Sequence, residues 1–111
     1  ITWKSNQTHQ RRNKLRGVNI WVNTKKNEKA LGLKYCKMFR EAGMNVRCDA
    51  GSGMASGNKI MLKCPKLPAD AGIILQEIMG VSGWKVWDWR KDKDYANNCK
   101  SFHAISFEAV R

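Results

Sequence analysis

Apolar and polar side chains alternate along residues 17–24 (GVNIWVNT), with Val18, Ile20 and Val22 set against Asn19, Trp21 and Asn23. A period of two predicts a half-buried strand. Residues 28–42 change period: at 100° per residue Leu31, Tyr35, Met38, Phe39 and Ala42 share one face, while Lys29, Lys37 and Arg40 lie opposite. This predicts an amphipathic helix with a basic outer side, capped by Thr24 or Asn27 and closed by Gly43. Residues 44–49 (MNVRCD) return to alternation, with Val46 and Cys48 inward and Asn45 and Arg47 outward. A small-residue loop, AGSGMASG, leads to a third strand at residues 58–64, where Ile60, Leu62 and Cys64 oppose Lys59, Met61 and Lys63. Pro68 suits the first position of a second helix with Asp70 in its first turn. Ala71, Ile74, Leu75 and Ile78 make its buried stripe, and Gly80 closes it.

Residues 83–91 (GWKVWDWRK) follow as a fourth strand holding three of the five tryptophans. Their phase matters more than their number: Trp84, Val86 and Asp88 fall on one face, and Lys85, Trp87 and Trp89 on the other. After a charged loop at residues 91–100, residues 101–111 read as a fifth strand with Ile105, Phe107 and Ala109 on one face. The order β-α-β-β-α-β-β predicts an α+β, ferredoxin-like split βαβ sandwich. Its sheet is expected to be antiparallel, with both helices on one face and strand order 4-1-3-2. The C-terminal strand is expected at an edge beside strand four. Residues 1–16 form a basic N-terminal arm, and residues 17–111 a single domain.

Size and charge narrow the function. A chain of 111 residues is one domain, able to bury about 60–70% of its unfolded surface. No apolar run reaches the 18 or so residues of a membrane span. Ile1, with no signal-peptide pattern, reads as the start of a processed or trimmed product. There are 21 Lys and Arg against 9 Asp and Glu, a net charge of +12. Solubility alone calls for a magnitude of about 2–8, so the excess points to a polyanionic partner, either nucleic acid or an anionic membrane.

The four cysteines, Cys36, Cys48, Cys64 and Cys99, contain no C-x-x-C pair, and the chain has two histidines, His9 and His103. That excludes a zinc site of ordinary spacing. The even count allows two disulfides in an exported protein; four reduced thiols in a cytosolic core fit as well.

With both helices on one side, the outward sets of the strands fall together on the other. They are Trp21, Arg47, Lys59, Lys63, Lys85, Trp87 and Trp89, with Met61 among them, and Arg11 and Arg12 of the arm add charge. Strand four is expected beside strand one, bringing Trp87 or Trp89 near Trp21. Indoles among fixed cations suit single-stranded nucleic acid, since bases stack on the rings and Lys and Arg neutralise phosphates. The RNA-recognition motif uses a sheet face in this way, but NKIMLKC has no aromatic at the stacking positions, so only the surface logic is shared.

Catalysis finds little support. His9 sits in a polar arm and His103 at a strand entry, with no fixed acid–base partner. The AGSGMASG loop lacks the Lys-Ser/Thr of a phosphate-binding loop, and no metal or cofactor is expected. Two readings follow. One is a non-enzymatic basic module holding single-stranded nucleic acid or another polyanion on the Trp/Lys face. The other is a secreted or surface-exposed interaction domain, effector-like, toxin-like or an ectodomain, with two disulfides. Its sheet face is then covered or used for a homodimer, and its charge meets a membrane surface or an acidic protein.

Overall fold

A computed structural model describes residues 11–53, 55, 57–95, 99 and 105–109. Five strands form one sheet: β1 (Asn19–Thr24), β2 (Asn45–Asp49), β3 (Lys59–Leu62), β4 (Lys85–Asp88) and β5 (Ile105–Ala109). Two helices, α1 (Lys29–Glu41) and α2 (Ala71–Met79), join them, and a further helical turn occupies residues 11–13. No helix among the described residues is long and apolar enough to cross a membrane.

The sheet order is β2-β1-β5-β3-β4. β1 runs parallel to β2 and to β5, β3 runs parallel to β4, and β3 meets β5 antiparallel. The sheet is therefore mixed where an antiparallel one is expected, and its order is not 4-1-3-2. The chain folds as two βαβ units, β1-α1-β2 and β3-α2-β4, each linking neighbouring parallel strands. β5 fills the join between them instead of an edge beside β4. The units run in opposite directions, so right-handed crossovers place both helices on the same face. In agreement, α1 touches α2, and both bury apolar residues in one core.

Strand composition explains the order. β5 brings Ile105 and Phe107, both fully buried, to the centre of the core. β2 and β4 carry Arg47 and Asp49, and Lys85 and Asp88, charges that belong on edges, where they discourage strand addition. Tyr35 and Phe39 of α1 pack edge-on against Phe107, at centroid distances of 5.2 Å each. Trp84 stacks on Phe107 at 5.0 Å, which places it with the core as its phase predicts.

The helix starts differ from expectation. Thr24 does not cap α1; it is buried, and its Oγ1 accepts the Gly51 N–H at 2.8 Å, tying the end of β1 to the loop after β2. α1 begins after Glu28 with no side-chain cap. α2 begins at Ala71, so Pro68 precedes it. Gly80 closes α2 with a φ of +71°, the left-handed conformation in which glycine meets no Cβ penalty.

Two cysteine pairs lie at disulfide distance. Cys36 of α1 meets Cys48 of β2 with Cα atoms 6.1 Å apart, and Cys64 meets Cys99 at 4.8 Å. The first pins α1 to the edge strand, and the second ties the end of β3 to the segment before β5.

Candidate nucleic-acid interface

The alternation of the strands leaves one sheet face free of helices among the described residues, and the pairing register sets its positions in rows. One row holds Arg47, Trp21, Met61 and Trp87, from β2, β1, β3 and β4. A second reads Asp49, Asn23, Glu108, Lys59 and Lys85. Trp89 follows β4, and its N–H bonds the Leu62 carbonyl at 2.8 Å, so the ladder carries it onto the same face as Lys63.

The rows form two aromatic–cation clusters. On β1 and β2 the Arg47 guanidinium lies 5.0 Å from the centroid of the Trp21 ring. Asp49 holds both: it accepts the Trp21 indole N–H, and its carboxylate lies 3.3 Å from Arg47 Nε. On β3 and β4, Lys85 Nζ stands 4.4 Å over the Trp87 ring and Lys63 Nζ 5.9 Å over the Trp89 ring. Trp87 and Trp89 meet edge to face at 6.1 Å. Lys59 Nζ reaches Glu108 at 4.0 Å.

The clusters are not adjacent, which corrects the expected contact of Trp21 with Trp87 or Trp89. β5 and β3 stand between β1 and β4, so three strand spacings of about 4.8 Å, or roughly 14 Å, separate the indoles. The cause is the insertion of β5 at the centre of the sheet. Arg11 and Arg12 are not on this face either. Arg11 pairs with Glu77 of α2, and Arg12 lines a cleft of about 380 Å³ with Arg16, Met38, Glu41 and Ile78. The fully buried Leu15 anchors this segment to the helix side. His9 and His103 lie outside the described residues.

The set of residues expected on this face contains no acid, and the structure adds two, Asp49 and Glu108. Asp49 stands two residues after Arg47, hence on the same face of β2, and that spacing was the available signal. Glu108 alternates with Phe107 and faces away from the helices. Glu108 also acts on Lys63: burial pushes the Lys63 ammonium below its ordinary pKa, while the nearby carboxylate works in the opposite direction. Locally, then, this face sets indoles among the cations Arg47, Lys59, Lys63 and Lys85, with the carboxylates of Asp49 and Glu108 offsetting part of the charge.

No protein-family model, curated protein or solved structure matches the chain.

Proposed function

We propose that the chain is a non-enzymatic binding module that holds single-stranded nucleic acid, or a polyanion with stackable rings, on the open sheet face. The observation that carries this is the pairing of each indole with a cation: Arg47 with Trp21, Lys85 with Trp87, Lys63 with Trp89. Magnitudes favour exchange with a ligand. An exposed cation–π contact contributes about 0.5–1 kcal/mol, whereas a base stacked on an aromatic contributes about 1–3 kcal/mol. A base can therefore displace the ammonium of Lys85 from its ring and leave it free to meet a phosphate. Trp87 and Trp89 are the main platform, with Lys63 and Lys85 beside them. Trp21 and Arg47 form a second platform farther along the strand, and Lys59 lies between.

The cysteine pairs favour an oxidising, extracytoplasmic setting for this module, because disulfides persist there and are rare in the cytosol. The same two pairs are what the alternative interaction-domain reading shares with the structure.

Titration with oligothymidylate, followed by tryptophan fluorescence and by anisotropy of a labelled oligonucleotide, tests the proposal. Quenching with submillimolar affinity and a steep fall with salt is the expected result. Absence of binding at about 50 mM salt, or unchanged binding by the folded Trp87→Ala variant, overturns it. A concentration-dependent dimer that masks the indoles would give the face to self-association.

A further inference from the structure

Among the described residues, a run of cations without an ion pair lies on the helix side of the molecule. Along the outward arc of α1 and the turn before it, Lys26, Lys29, Lys34, Lys37 and Arg40 are all exposed. None makes an ion pair among the described residues. On the sheet face, by contrast, Arg47 and Lys59 already face Asp49 and Glu108. At 100° per residue Lys29, Arg40 and Lys37 fall within one narrow stripe. Over the 13 residues of α1 that stripe runs about 20 Å.

We infer that this outward face of α1 is a second, separate surface that takes the phosphate backbone of duplex nucleic acid. The stripe is rigid: Tyr35 and Phe39 fix the far side of the helix in the core, and the Cys36–Cys48 pair, on the flank next to Lys29 and Arg40, ties the helix to β2. Fixed cations lose little freedom when they meet phosphates, and each phosphate neutralised releases counterions. A lipid surface fits less well. Interfacial helices insert an apolar face, but here that face is used by the core, and Leu33, 49% exposed, is the one large apolar side chain left on the stripe. The cleft beside Arg12 and Arg16 is not part of the surface, because Glu41 and the carbonyl end of α1 place negative potential there.

A duplex hides its base faces, so this inference stands apart from the sheet-face reading and can fail separately. The test is binding of a blunt 20-base-pair DNA duplex (about two helical turns) across a salt series. The native protein is compared with Lys29→Gln/Lys37→Gln/Arg40→Gln and with Trp87→Ala, the fold of each verified by circular dichroism. Five phosphate contacts give a slope of log K against log salt of about −4.5. The triple variant should flatten it by about 3 and weaken binding at least tenfold, whereas Trp87→Ala should leave it unchanged. The inference is overturned if no duplex binds at about 50 mM salt, if the triple variant keeps the native slope, if Trp87→Ala abolishes duplex binding, or if the stripe binds phosphatidylserine vesicles and not the duplex. Duplex binding without oligothymidylate binding would remove the sheet-face proposal and leave this one standing.

Discussion

Lys85 Nζ lies 4.4 Å from the centroid of the Trp87 ring, two residues along the same edge strand. A strand repeat of two residues places both side chains on the helix-free face, so the cation covers the ring of its own strand-mate. The contact keeps a large indole soluble in the free protein and leaves the ammonium beside it when a base takes its place. The two residues should then separate cleanly in binding measurements. Trp87→Ala is expected to weaken oligothymidylate binding by about 1–3 kcal/mol, roughly 5- to 150-fold, with an unchanged salt slope. Lys85→Gln should flatten the slope by about 1. Anisotropy of a labelled strand over a salt series checks both, and equal slopes for the native protein and Lys85→Gln would remove Lys85 from the site.

Gly32 is required by close packing of α1 on the end of β1. A Cβ there would meet Thr24 Oγ1 and Ala50 Cβ, each at 2.5 Å. Thr24 has little room to yield, since it is fully buried and its hydroxyl accepts the Gly51 N–H. Gly32→Ala should therefore destabilise the fold by about 1–3 kcal/mol, despite alanine's higher helix propensity. Urea unfolding measures it, and a variant as stable as the native protein would refute the close approach.

The cysteine pairs close loops with sequence separations of 12 and 35 residues. By the chain-entropy relation they stabilise the fold by roughly 3 and roughly 4 kcal/mol. Native protein should resist thiol alkylation, and its mass should rise by four hydrogens on reduction, two for each pair. Cys64→Ala/Cys99→Ala should lower stability at least as much as Cys36→Ala/Cys48→Ala, judged by urea midpoints at constant m. Four alkylatable thiols in the native protein would contradict the pairing.

Asp88 and Arg90 form a clamp after β4. Arg90 Nε and Nη2 donate to the Asp88 carboxylate, and Nη1 donates to the Pro68 carbonyl at 2.6 Å. The hydrogen bond from Arg90 holds the Asp88 carboxyl at about 2, below its ordinary 3.8. A depressed carboxylate stabilises the fold above its unfolded pKa and loses that contribution as pH falls through the folded value. The clamp should thus contribute fully above about pH 4 and fade towards about pH 2, and half exposure of Asp88 keeps the effect small. Asp88→Asn should show a flatter stability profile over that interval than the native protein. Parallel profiles would show that Asp88 gains nothing from Arg90.

Much of the local structure was legible in the sequence. The period of two in β1 and β3 marks their buried sides, because burial selects apolar residues one position at a time. The stripe of α1 is only partly right: Tyr35 and Phe39 are buried, but together with Gly32 and Cys36, while Leu31, Met38 and Ala42 are partly buried. The phase of residues 84–89 likewise sends Trp84 to Phe107 and leaves Trp87 and Trp89 on the other face. The loss of Thr24 as a cap was not legible, since its partner, the Gly51 N–H, lies 27 residues away in sequence.

By itself the sequence determined the order of the elements and roughly where each lies, which side of each strand faces the core, and that cations and indoles share the helix-free face. Only the tertiary structure decided that β5 enters between β1 and β3, that the sheet is mixed, and that Trp21 stands three strands from Trp87. It also placed Asp49 and Glu108 against the cations of that face. The physical reason is that side-chain periodicity records burial, a property of single strands and helices. Strand order depends on which edges pair and which crossovers close, and those contacts join residues far apart in the chain.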